Sequence, residues 1–214
     1  VLGDPLPGLV AEVEAMGAAV VSLSGMDDLG DGSAIARLIE AGMQRFGRLD
    51  AACVRTGVII GGSFMQASLE QLQTLQQANL EAVFHSLQAL LAVMLPAGRG
   101  QIVIVTSATG RRPMPNASLY SATRAGANMM VKAAALEVAD KGISINALGT
   151  AYLDYPGFIK ATGSDDPEVR KVVEQQTPMH RFGRPEEIAH FAAALLDGGN
   201  PFQTGPFFSL SGGW

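Results

Sequence analysis

A doubly wound α/β fold, a parallel sheet covered by helices on both faces, is what this sequence predicts, and two observations carry it. Short apolar, β-branched runs alternate with longer segments whose apolar residues recur at helical spacing. Parallel strands also need crossovers, and helical crossovers cover both faces of the sheet. The 214 residues, 48% hydrophobic and 16% charged, suffice for one cored domain spanning 1–214, with no repeat and no linker.

The elements follow in order. Val1 to Asp4 reads as the tail of a strand that has lost its beginning. Leu9, Val10, Val13 and Met16 mark a helix closed by Gly17, and Ala18 to Leu23 is a β-rich run, which makes a β-α-β start. A loop from Ser24 to Gly32 leads to a helix carrying Ile35, Leu38, Ile39, Met43 and Phe46, then to a buried strand from Leu49 to Val54. Ser68 with Gln71 forms a capping box that opens a helix to about Met94, with Pro96 and Gly98 as its stop. A strand from Ile102 to Thr106, a helix from Ala117 to about Lys141 and a strand from Ile143 to Ala147 come next. Leu148 to Ser164 has no clear period and reads as a loop over a pocket. Asp166 and Pro167 start a short helix as N-cap and first-turn proline, Pro185 with Glu186 and Glu187 starts another, and Phe207 to Leu210 is the last strand.

Composition excludes several functions. A net charge of -5 argues against a nucleic-acid partner, which would need Lys and Arg clusters. The single Cys53 lies in an apolar run, as a buried thiol in a reduced compartment would. His85, His180 and His190 lack ligand spacing, so no metal is expected. No uninterrupted apolar run reaches the roughly 18 residues of a membrane span, and a cytoplasmic location is expected. No G-x-G-x-x-G turn occurs; Gly30 and Gly32 come closest, but position 35 is Ile. In the usual strand order the first strand is central, so an upstream strand and helix of about 30 to 45 residues is expected in the intact molecule.

The chemistry-bearing stretch is Gln101 to Arg124. Its strand ends on Ser107; twelve residues later comes Tyr120, and after three more Arg124. Residues at i and i+4 share a helix face, so the phenol and the guanidinium can point together beyond the strand's end.

This Ser, Tyr and Arg arrangement resembles the halohydrin dehalogenases, relatives of the short-chain dehydrogenases/reductases in which Tyr-x-x-x-Lys is usual. LDAACVRTG at 49–57, PMHRFGRPEEIAHFAAALL at 178–196 and the terminal SLSGGW also resemble superfamily segments. The resemblance implies a Rossmann-like fold and a cofactor-free lyase that converts vicinal haloalcohols to epoxides with halide release. It also implies the reverse reaction, epoxide opening by small anions. Ser107 would hold the substrate oxygen and Tyr120 would act as base, its phenolate favoured by the permanently charged Arg124. Backbone N–H groups of Tyr152 and Leu153, within Thr150, Ala151, Tyr152 and Leu153, would hold the halide, and Phe158 and Tyr155 would line the pocket. Asn79 stands where many reductases have a relay asparagine, and Arg55 where they have asparagine. Arg111 and Arg112 read as solvated charges, and Met129 and Met130 as core or interface packing. A homotetramer is implied, with the helices around 72–94 and 125–139 in contact. An NAD(P)-dependent oxidoreductase with Arg for Lys stays open as the alternative, as does a catalytically silent scaffold.

Overall fold

In the computed structural model, residues 7–22 and 32–214 are described, and the expectations for Val1 to Asp4 and for the Ser24 to Gly30 loop lie outside them. Four parallel strands lie in the order β1 (Ala51–Arg55), β2 (Gly100–Ser107), β3 (Ile143–Thr150) and β4 (Phe207–Leu210). Val54 pairs with Ile104, Ile104 with Ala147, and Ala147 with Phe207, so the strands' carboxyl ends share one rim.

Alternation along the strands builds two cores, because successive side chains point to opposite faces. Val54, Ile102, Ile104 and Ile145 pack under α2 (Ser33–Phe46), α4 (Ala82–Ala97) and α5 (Ser118–Val138). Cys53, Val103, Val105 and Leu148 pack under α1 (Leu9–Ala15) and α8 (Pro185–Leu196). The sheet is therefore covered on both faces, as the pattern predicts.

The helix expected from Ser68 to Met94 exists as α3 (Leu69–Gln76), a single π-helical turn (Gln77–Glu81) and α4. Its capping box is made: Gln71 N–H donates to Ser68 Oγ at 3.1 Å and Ser68 N–H to Gln71 Oε1 at 3.0 Å. Pro96 lies inside the last turn rather than ending the helix; Gly98 ends it, at φ +64°. The 29-residue stretch Leu69–Ala97 is long and apolar enough to cross a bilayer, although no single run of its sequence is uninterrupted. A third of its most apolar 18-residue window is buried, and Leu75, Val83, Leu87, Leu90 and Met94 of the stretch lie inside the molecule.

Two expectations are corrected. Residues 18–22 pair with no strand among the described residues. Residues 18–21 and Asp50–Cys53 instead line a mainly apolar cavity of about 530 Å³ beside the outer edge of β1. The segment read as loop from Leu148 is strand as far as Thr150, because Leu148, Gly149 and Thr150 pair with both β2 and β4. It also holds a short helix, α6 (Pro156–Thr162). Asp166 caps α7 (Pro167–Glu174), accepting from Glu168 N–H at 2.8 Å.

Candidate functional site

The rim formed by the carboxyl ends of β1, β2 and β3 holds the buried polar groups of the site. Extended backbone ends at Ser107, and a tight turn (Ala108–Gly110) follows, so Ser107 Oγ accepts from Thr109 N–H at 3.2 Å and shares a hydrogen bond with Thr109 Oγ1 at 2.8 Å. Gly110 lets this turn press on α5: a Cβ there would lie 2.8 Å from the carbonyl oxygen of Arg124. Tyr120 and Arg124, one turn apart, are buried with Ser107, exposing 9%, 4% and 5% of their surfaces, so the trio is nearly closed to bulk water.

The Arg124 guanidinium lies over the face of Tyr120, with Cζ 5.4 Å from the ring centroid. One terminal N–H donates to Thr56 carbonyl at 2.6 Å, while Nε and the other terminal nitrogen are buried without an acceptor among the described residues. Buried donors without partners are costly, and two on one guanidinium mark a place for a ligand's oxygens.

Asn79 sits in the π-helical turn with no exposed surface. Its amide donates to Val58 carbonyl at 3.1 Å and to Thr123 Oγ1 at 3.2 Å, and its oxygen accepts from Val58 N–H at 3.0 Å. Thr123 in turn donates to Tyr120 carbonyl at 2.9 Å. Asn79 thus clamps the turn after β1 to the helix that carries Tyr120. Gly57 makes this possible: at φ +102° a Cβ would run into Asn79 Oδ1 and the Arg124 guanidinium. Extra residues in π-turns recur at functional sites.

The other expected residues divide. Thr150 closes β3, and its carbonyl lies 3.5 Å from Ser107 Oγ, which places it at the site. Tyr152 has left-handed backbone, φ +50°, and its side chain turns into a cluster with Phe158, Ala151 and Trp214, its hydroxyl donating to Gln176 Oε1 at 2.8 Å. Burial pushes the Tyr152 phenol above its ordinary range, partly opposed by the charge of Arg112. Leu153 packs instead with the α8 core, because its segment bridges to Gly183, and so its side chain leaves the site. Arg55 stacks on Tyr155, Cζ 4.4 Å from the ring centroid. Since β2 lies between β1 and β3, this pair spans the rim above Ser107. Arg112 is not merely solvated: it covers Trp214 at 4.9 Å. The roles of Thr56 and Trp214 carried no sequence signal, because each arises from contacts between distant segments.

A family model described as enoyl-(acyl carrier protein) reductase matches residues 6–214. The chain is 32% identical over 209 residues to a 2,5-dichloro-2,5-cyclohexadiene-1,4-diol dehydrogenase of Sphingobium indicum, covering 97% of this chain and 80% of that protein. It is 34% identical over 177 residues to a cyclohexanol dehydrogenase of Acinetobacter sp., covering 82% and 68%. A solved structure titled ElxO with NADP bound superposes with a TM-score of 0.82 at 25% identity, covering 90% of this chain and 77% of that one. These findings overturn the halohydrin dehalogenase and cofactor-independent lyase expectation: the matching family model is a reductase's and these relatives are named dehydrogenases. The physical reason is that Arg for Lys keeps a positive charge beside Tyr120, so that one position does not separate the two chemistries.

Proposed function

This chain belongs to the short-chain dehydrogenase/reductase superfamily, and on that premise we propose that it is an NAD(P)-dependent oxidoreductase interconverting an alcohol and its carbonyl compound. The observation that carries this reading is the buried Arg124 guanidinium, held by Thr56 carbonyl and laid over Tyr120, with two of its nitrogens lacking an acceptor among the described residues. Those donors suit sugar hydroxyls, so the residues present fit the ribose next to the nicotinamide, with Arg124 as the group that holds it. When bound, the nicotinamide supplies or accepts the hydride.

The chain's own residues handle the oxygen and the proton. Ser107 Oγ, released from Thr109, donates to the substrate oxygen, and Tyr120 exchanges the proton with that oxygen as acid or base. Arg124 stays charged throughout and keeps a positive field beside the oxygen in a nearly water-free site, where such a field acts strongly. Asn79 positions Tyr120 through Thr123. Thr150 and Ala151 border the site after β3, and Phe158 stands further out.

Second copies of the chain are the proposed partners in a homotetramer. Phe84, Leu95, Met129 and Leu136 expose 43%, 40%, 62% and 70% of their surfaces on α4 and α5, an apolar area suited to self-association.

The test is incubation of the protein with open-chain and ring secondary alcohols and either oxidised nucleotide. Formation of reduced nucleotide, lost in Tyr120→Phe, is the expected result. Its absence with both nucleotides across the panel would overturn the reading.

A further inference from the structure

An apolar wall extends outward from Tyr120. Met114, between β2 and α5, packs against the group formed by Leu75, Ala117 and Tyr120, and its sulfur lies 3.9 Å from the Tyr152 hydroxyl oxygen. Tyr152 meets Phe158 edge-on at 5.9 Å and Trp214 at 5.7 Å. The wall therefore starts at the proton-transferring tyrosine and ends at the only tryptophan in the sequence.

Its polar tips are engaged elsewhere. The Tyr152 hydroxyl donates to Gln176, and the Arg112 guanidinium lies flat on the Trp214 ring. Met114, Phe158 and Trp214 keep part of their surface accessible, a thioether and two aromatic rings, with the buried Tyr152 behind them. Such groups favour hydrocarbon at a ring edge or beside sulfur, and burying a carboxylate or several hydroxyls against them without partners is costly.

We infer that the substrate is an uncharged alcohol or ketone borne on an alicyclic or aryl ring. Its hydrocarbon lies against Met114, Phe158 and Trp214, which Tyr152 backs, while its oxygen meets Tyr120 and Ser107. This inference rests on the oxidoreductase reading and names its substrate class. An open-chain ketone reaches less of the wall, and a sugar acid leaves its several hydroxyls without partners along it.

The single tryptophan gives a readout that does not need turnover. Titrating the full chain with cyclohexanone, propanone or gluconate while following Trp214 emission is expected to give a saturable change with cyclohexanone only. With reduced nucleotide, kcat/KM for cyclohexanone should exceed that for propanone by at least about tenfold, the scale of a few methylenes in an apolar site. Phe158→Ala and Met114→Ala should each raise KM for cyclohexanone more than they lower kcat; Phe158→Ala serves if Met114→Ala fails to fold. Equal kcat/KM for ring and open-chain ketones, with silent Trp214 emission, would overturn the inference and leave the oxidoreductase reading standing. A saturable emission change with cyclohexanone but no hydride transfer to any carbonyl, from either nucleotide, would overturn the oxidoreductase reading and keep the wall as a ring-binding surface.

Discussion

At the scale of single residues, the site depends on where each hydrogen-bonding group is already committed. The Ser107 hydroxyl proton can turn from Thr109 Oγ1 to a substrate oxygen while Ser107 Oγ still accepts from Thr109 N–H. Ser107→Ala should therefore lower kcat by about a hundredfold or more, the scale of losing one oxyanion donor, and cost about 1 kcal/mol in urea, because the buried Thr109 N–H loses its acceptor. Arg124 differs. Arg124→Met removes a charge and leaves Thr56 carbonyl buried without its donor, so about 1–3 kcal/mol of stability should go with the activity, and urea titration of that variant against Arg124→Lys separates the two losses. Cys53 gives a simpler test: burial pushes its thiol up to about 12, so a thiol reagent at neutral pH should label the unfolded chain and leave the folded one untouched. Sequence spacing made Ser107, Tyr120 and Arg124 legible, since strand end and helix face follow local rules. The bond from Arg124 to Thr56, 68 positions away, and the stack of Arg55 on Tyr155 were not legible, because no local pattern reports on distant partners.

At the scale of elements, caps were read well and interruptions poorly. Ser68, Asp166 and Pro185 announce their helices through side chains that act within one turn. The π-turn at Gln77–Glu81 was invisible, since apolar spacing continues on both sides of it, yet it is the feature that aims Asn79 at Val58. The β-rich composition of 18–23 predicts a strand, yet 18–22 are not part of the sheet β1–β4, and 18–21 line a cavity. The start of α8 carries a pH signature. Arg181 first, and Arg184 N–H second, hold the Glu187 carboxyl down to about 2 from an ordinary 4.5. A carboxyl whose folded value is depressed stabilises the fold above its unfolded value and loses that contribution as pH falls toward the folded one. Wild type should therefore lose this contribution between about pH 4.5 and 2, whereas Glu187→Gln lacks it throughout. The difference at neutral pH should be about 1 kcal/mol, the scale of a cap with a partly exposed ion pair. Thermal unfolding of the two proteins as a function of pH checks it.

At the scale of the whole molecule, the alternation of strands and helices was enough to anticipate a covered parallel sheet, while the chemistry was misassigned on one residue. Arginine in place of lysine was weighed as a change of reaction; similarity to dehydrogenases along nearly the whole chain outweighs it. The proposed assembly has its own test. Leu136→Glu and Met129→Glu place charges on the exposed apolar faces and should shift light-scattering mass from tetramer toward monomer, and a wild-type monomer would sink that proposal. The central claim is hydride transfer assisted by Tyr120. The most direct measurement supplies the protein with nicotinamide nucleotide deuterated on the transferable position and a ketone, and follows the label. The account predicts deuterium on the product's carbinol carbon, with a rate reduced by about 10²- to 10⁴-fold in Tyr120→Phe; alcohol carrying no deuterium, or label transfer undiminished in that variant, would contradict it.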